Sequence, residues 1–210
     1  MRRVAARTPF VPRTFLPPHT SIMATMQNTQ QKLRDELLVL RCQQGSVEAL
    51  DQLVQQWHPR LLRYARFHVG SPETAADLVQ DSWMAIVRGV VRLSDPAAFP
   101  GWVYRIVTNK CHDWLRRQRT ERRVFDQAAY RPIDPTVARP ADRSAEAEAL
   151  EKALSALDAD DRTLVRLRYF EELNVSQVAE ILGIPGGTVK SRLHRCREML
   201  RKHLEETNRE

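Results

Sequence analysis

Eight residues near the C-terminus, 190–197, carry four cations: Lys190, Arg192, Arg195 and Arg197. They follow a Pro185-Gly186-Gly187 turn, and between Gly187 and Leu204 six Lys/Arg stand against one Glu. Guanidinium and ammonium groups at helical spacing neutralise phosphates, and polar side chains among them can reach base edges. A second basic stretch, Phe99 to Arg123, sets seven Lys/Arg against Asp113 and Glu121 and contains Trp102 and Tyr104. Basic tracks with interleaved planar side chains suit unpaired strands, whose bases stack on the rings. Trp102 and Tyr104 suit a core equally well.

Covalent chemistry has little to work with. Cys111, His112 and Asp113 adjoin, but neighbouring helix residues point about 100° apart, so they do not converge as nucleophile, base and orienter. No His/Cys cluster has metal-ligand spacing, and no Gly-rich loop could cradle a phosphate. No catalytic residue, metal site or cofactor is expected.

The elements that must carry these residues read as helices throughout. In "ELLVLRCQQG" the apolar residues Leu37, Leu38 and Leu40 precede a stop at Gly45. Ser46 can cap the next helix, where Val47, Leu50, Leu53, Val54 and Trp57 form one stripe. That helix continues through Pro59 to Gly70, and Ser71-Pro72 restarts another that runs to about Val91. "SDPAAFPGW" breaks the pattern, and a further helix runs from about Trp102 to Arg119. On it Val103, Ile106, Val107, Cys111 and Trp114 point inward, leaving Arg105, Thr108, Asn109, His112 and Arg116 outside.

Residues 124–145 hold three prolines and no sustained period, which reads as a linker. Helical pattern resumes after it. Ser176 can cap a short helix with Val178, Ile181 and Leu182 on its apolar side, ended by Gly183. Val189, Leu193, Cys196, Leu200 and Leu204 then form the core stripe of the basic helix. A short helix, a Gly turn and a longer basic helix describe a helix-turn-helix, whose second helix enters the major groove. The fold expected is all-α, with two small helical domains joined by a flexible linker and a helix-turn-helix at the C-terminal end. The expected boundaries are 31–123, 124–145 and 146–206.

Composition agrees without choosing a partner. The 210 residues carry 33 Lys+Arg against 26 Asp+Glu, a net charge of +7. Three widely spaced cysteines, Cys42, Cys111 and Cys196, suit a reducing cytoplasm better than a disulfide framework. No apolar run approaches the roughly 18–20 residues needed to cross a bilayer, so no membrane insertion is expected. The first 34 residues lack Asp and Glu. Residues 1–30 read as a disordered tail, or as sequence upstream of a true start at Met23 or Met26, with a transit peptide as the other compositional reading.

Three stretches carry a resemblance to a known family. "LSALDADDRTLVRLRYFEELNVSQVAEILGIPGGTVKSRLHRCREML" resembles the −35-reading domain of bacterial sigma factors of the sigma-70 family, extracytoplasmic-function (ECF) group. "ADLVQDSWMAIVRG" resembles that group's polymerase-binding helix, and "DPAAFPGWVYRIVTNKCHDWLRRQR" its −10-reading, strand-opening helix. The matches span about residues 34–123 and 146–204 in the family's order.

The resemblance implies a factor that binds RNA polymerase core and recognises −35 and −10 promoter elements. It implies strand opening through capture of a base extruded into the loop "LSDPAAFPG". It places −35 contacts on Gly187, Thr188, Lys190, Ser191, His194 and Arg195, with Arg192 beside them. It places −10 contacts on Trp102, Tyr104, Arg105, Asn109, Lys110, His112 and Arg116. Polymerase contacts fall on Asp77, Gln80, Asp81, Met84 and Arg88, with Val79, Trp83, Ile86, Val87 and Val90 on the opposite, core side. Gly186 stands where a larger residue is commoner in the family, and His194 where members vary. The partners implied are polymerase core, duplex and single-stranded promoter DNA and an anti-sigma factor, all in the cytoplasm. Two rival readings are a self-sufficient helix-turn-helix regulator, which explains only 183–204, and a recombinase-like enzyme with a C-terminal DNA-binding module.

Overall fold

The computed structural model describes residues 18–125, 150 and 152–207, and every regular element among them is helical. A front group comprises α1 (Pro18–Gln43), α2 (Val47–Val69), α3 (Pro72–Val90) and α4 (Phe99–Phe125), with a short 3-10 turn at Pro96–Ala98 before α4. A back group comprises α5 (Ala159–Val165), a π-helical turn at Arg166–Phe170, α6 (Val175–Leu182) and α7 (Gly186–Thr207). Residues 1–17, 126–149, 151 and 208–210 lie outside the described residues, and with them most of the expected linker at 124–145. α1 begins well upstream of the expected start near Gln31.

Side-chain caps set most of the helix starts. The Ser46 hydroxyl accepts from the Ala49 amide at 3.1 Å, and the Ser71 hydroxyl accepts from Thr74 at 3.2 Å with Pro72 at the first helical position. Asp158 caps α5 by accepting from the Asp161 amide at 2.7 Å. The cap of α6 is Asn174 rather than the expected Ser176. Its side chain accepts from the Gln177 amide at 2.9 Å, and the Gln177 side chain accepts from the Asn174 amide at 3.0 Å. The spacing Asn174-x-x-Gln177 closes a capping box that a Ser176 start could not form, and such caps contribute about 1 kcal/mol. Gly183, at φ 65, ends α6 in the left-handed region that favours glycine.

Packing corrects three apolar stripes. On α1 the inward side is Asp35, Leu38, Val39 and Cys42, while Leu37 and Leu40 are exposed. The Asp35 carboxylate is tolerated there because it accepts from Gln31 at 3.0 Å and from Gln56. Val47 opens the first turn of α2 and faces solvent; the stripe proper is Ala49, Leu53, Trp57, Leu61 and Tyr64. Val87 is exposed because Ala75, Val79, Trp83, Ile86 and Val90 already fill the inner side of α3.

The main core does not stop at the junction between the two groups. Trp57, Tyr64, Phe99, Val103 and Val107 belong to the same buried cluster as Leu164, Leu167, Leu173, Val178, Ile181 and Val189. Trp57 meets Phe99 edge-on at 5.3 Å and Tyr104 at 5.9 Å, and Tyr64 meets Tyr104 at 5.0 Å. Such aromatic pairs add about 0.5–1.5 kcal/mol each beyond burial. A smaller cluster of Leu157, Val165 and Cys196 joins α5 to α7.

Candidate nucleic-acid interface

α7 presents an open polar face. Val189, Leu193 and Cys196 are buried against the rest of the back group, which turns Gly187, Thr188, Lys190, Ser191 and His194 outward. The Ser191 hydroxyl donates to the Thr188 carbonyl at 3.0 Å, so its oxygen remains available as an acceptor.

The two arginines between these residues are tied from behind. Arg192 Nε donates to one oxygen of Asp161, and Arg195 Nη2 to the other, both at 2.6 Å. Arg192 also lies 3.8 Å from Asp158. The Asp161 side chain is only 2 % exposed. Burial pushes its carboxyl up, but the hydrogen bonds and charges of Arg195 and Arg192 outweigh this and hold it below the ordinary carboxylate range. Arg195 keeps 59 % of its side chain exposed and Arg192 only 22 %. Arg195 can therefore reach a phosphate while anchored, whereas Arg192 is chiefly a strut between α5 and α7.

α4 is covered more heavily than its sequence suggests. Val103, Val107 and Cys111 are buried as expected, with Ile106 and Trp114 partly so. Arg105, Asn109, His112 and Arg116 are exposed and Lys110 half-exposed. Thr108, expected on the outer face, is fully buried. Its hydroxyl donates to the Tyr104 carbonyl at 2.7 Å, which leaves the Tyr64 hydroxyl to donate to Thr108 at 2.7 Å.

Tyr104 is 1 % exposed and its ring packs among Trp57 and Tyr64. In this arrangement it is a core residue and cannot stack on a base. Trp102 is half-buried, lying over Gly89 of α3 and beside Phe99 at 6.1 Å. A Cβ at Gly89 would come within 2.6 Å of the Trp102 ring, so glycine there is what admits the indole.

The Cys111-His112-Asp113 run diverges. Burial pushes the Cys111 thiol up to about 12, which removes it as a nucleophile. His112 faces solvent, and Asp113 accepts from Arg116 at 2.8 Å.

On α3 the five polymerase candidates Asp77, Gln80, Asp81, Met84 and Arg88 are all exposed along one side. Asp81 approaches Lys110 of α4 at 3.8 Å, so the α3 face and the α4 face adjoin. Among the described residues no group of His, Cys, Asp and Glu is arranged to hold a metal ion, and no helix is long and apolar enough to cross a membrane.

Sequence reasoning missed Asp161 as the anchor of Arg192 and Arg195, and Gly89 as the seat of Trp102. It also missed Glu171. The Tyr104 hydroxyl donates to one Glu171 oxygen, and Arg166 Nε donates to the other at 3.0 Å. Asp161 lies 31 and 34 positions from its two arginines and Glu171 lies 67 from Tyr104, so no local pattern encodes these pairs.

Comparison with known proteins gives two domain matches. Residues 53–121 match the family model of sigma-70 region 2, and residues 153–202 match that of sigma-70 region 4. The chain is 34% identical over 163 residues to the ECF RNA polymerase sigma factor SigM of Mycobacterium tuberculosis, covering 76% of this chain and 79% of that protein. The sigma factor RpoE, solved with the anti-sigma factor NepR from Bartonella quintana, superposes with a TM-score of 0.64 at 24% identity, over 76% of this chain and 98% of that one. CnrH, solved with the cytosolic domain of CnrY, superposes with a TM-score of 0.56 at 26% identity, over 82% of this chain and 98% of that one.

Proposed function

The chain belongs to the sigma-70 family, in the ECF group of RNA polymerase sigma factors, and we propose that it works by dividing promoter recognition between α7 and α4. It recruits polymerase core to promoters and starts transcription there. The observation that carries this reading is the presence in one chain of both family regions, each with a basic helix.

In this assignment α7 lies in the major groove of the −35 element. Gly187, Thr188, Ser191 and His194 face base edges, and Lys190 and Arg195 meet phosphates. Arg192 braces the helix from behind through Asp161. The −10 element is taken as an unpaired strand along Arg105, Asn109, Lys110, His112 and Arg116, with Trp102 as the one stacking ring near it. Tyr104 acts in the core beneath that track. Polymerase core docks on Asp77, Gln80, Asp81, Met84 and Arg88. The working units are the front helices to about residue 123 and the helix-turn-helix from about 146 to 206, tethered by the residues between.

The protein acts in the cytoplasm and catalyses no covalent step itself. It supplies binding energy and strand capture to the polymerase. An anti-sigma factor is the expected regulatory partner, as NepR is for the sigma factor RpoE.

Run-off transcription from a library of genomic promoters by purified polymerase core tests the reading. Transcripts should appear only when the chain is added and should share upstream −35 and −10 hexamers. Absence of stimulation on every promoter would refute it.

A further inference from the structure

The two cations of α7 that face phosphates are held in different ways. Lys190 is exposed, a compact charge on a flexible stem. Arg195 is a planar fork gripped from behind. Its Nη2 donates at 2.6 Å to one oxygen of Asp161, and Arg192 Nε donates at 2.6 Å to the other. The Asp161 side chain is 2 % exposed, whereas Arg195 keeps 59 % of its own in solvent. One end of the fork is fixed in the protein, and its remaining N–H donors are left for a ligand.

Asp161 is itself fixed before any ligand arrives. It stands in the first turn of α5, where its amide donates to the capping Asp158 side chain at 2.7 Å. Arg192, which holds its other oxygen, is largely buried and also approaches Asp158 at 3.8 Å. The nearest carboxylate along α7, Glu198, lies one turn beyond Arg195 and accepts instead from Arg201 at 2.8 Å. Asp161 is thus the one ion-pair partner of Arg195 among the described residues. Two guanidiniums on one carboxylate leave the trio with a net positive charge.

The place of Arg195 on the helix gives this anchor a consequence for reading sequence. Thr188, Ser191 and Arg195 follow one another at spacings of three and four, which puts them on one side of α7, and His194 precedes Arg195 directly. Phosphate contacts set the register of a reading helix on the duplex, and base contacts then discriminate. A guanidinium whose aim is preset loses less freedom on contact than one that sweeps the surface.

We propose that Asp161 is a positioning residue for sequence reading. It aims Arg195 at the DNA backbone beside Ser191, and so sets the register in which Thr188, Ser191 and His194 meet base edges. Its contribution is to discrimination between sequences rather than to overall attraction, because a released Arg195 keeps its charge and meets any phosphate. The inference rests on the −35 reading proposed above.

Asp161→Asn tests it, since the amide keeps the shape of the side chain but turns N–H donors towards one of the two guanidiniums. Polymerase core is assembled with each full-length chain, at a temperature where the circular dichroism of the variant matches wild type. Affinity is measured for two promoters with the same −10 element. One carries the −35 hexamer shared by the run-off promoters, and the other carries it scrambled. Asp161→Asn should lower the ratio of the two affinities about threefold or more, with binding to the scrambled promoter unchanged or raised. Arg195→Ala should lower the ratio too, and the double variant should fall no further than Arg195→Ala alone. Arg195→Lys keeps the charge and leaves Asp161 in place. It should lose discrimination as Asp161→Asn does, because an ammonium cannot hold carboxylate and phosphate in one rigid fork.

A smaller fall in the ratio with Asp161→Asn would overturn the assignment. So would equal losses on both promoters, which a purely structural anchor would give, or losses that multiply in the double variant. Full discrimination by Arg195→Lys would overturn it as well. A wild-type holoenzyme indifferent to the hexamer would instead remove the −35 reading itself, and this inference with it.

Discussion

α4 and α7 are both basic helices with an apolar stripe, yet they meet their surroundings differently. α7 buries one side in the back group and leaves Thr188, Lys190, Ser191 and His194 open. α4 is enclosed on more than one side: Thr108 and Tyr104 are buried beside the expected stripe, and Trp102 is seated on Gly89. A helix that serves one neighbour shows its function on its free face. A helix packed between α2, α3 and α6 has less free face than its charge suggests.

The largest test of that contrast is the anchor behind α7. Asp161→Ala leaves Arg192 half-buried with its principal partner removed. Breaking a buried pair costs about 3–5 kcal/mol, but solvent can satisfy the more exposed Arg195, so a loss of about 2–3 kcal/mol is expected in denaturant unfolding. The carboxyl is held below its ordinary range when folded. The stabilisation is therefore present above about pH 4 and disappears as pH falls through the lowered value. Wild type should lose this contribution on acidification, and the variant should have none to lose.

The matching test on α4 is Gly89→Ala. The added methyl collides with the Trp102 ring, an overpacking that costs about 1–3 kcal/mol. The indole should be displaced, which a shift in tryptophan emission and a lower Tm would report. α7 should keep its affinity for duplex −35 DNA.

A smaller effect sits where the two groups meet. Burial, then the charges of His112 and Arg166, push the His68 imidazole down to about 3, and its Nε2 has no hydrogen-bond partner among the described residues. The unfolded chain binds a proton near pH 6.5 and the folded chain does not, so stability is full above that value and falls as pH drops from about 6.5 towards 3. Between pH 6.5 and 5.5 the loss should be about 1 kcal/mol, and His68→Gln should flatten the slope. NMR should find the His68 ring neutral at pH 5.

The smallest effect tests the open face alone. Lys190→Ala should weaken −35 binding less than tenfold, similarly across sequences, and lower the salt slope by about one. His194→Ala should instead relax preference at one base pair, which selection from randomised duplexes would read.

What the sequence made legible follows from the same contrast. Val189, Leu193 and Cys196 stand on one stripe facing one neighbour, and the structure buries all three. Val79, Trp83, Ile86 and Val90 were legible for the same reason; Val87 was not, because the adjacent stripe had already filled the inner side. Asn174 was overlooked because the true cap depends on Gln177 three positions on, not on the nearest serine. Tyr104 and Thr108 could not be placed from spacing, since their burial comes from Tyr64 on one side and Glu171 on the other. Arg195 was legible as a cation, but its tether to Asp161 spans 34 positions.

The most direct measurement of the account is permanganate reactivity of thymines around the −10 element of a responsive promoter. With polymerase core and the chain together, those thymines should become reactive; with either alone, they should stay protected. Reactivity with core alone, or protection when both are present on a promoter they jointly transcribe, would contradict the claim that this chain holds the opened strand.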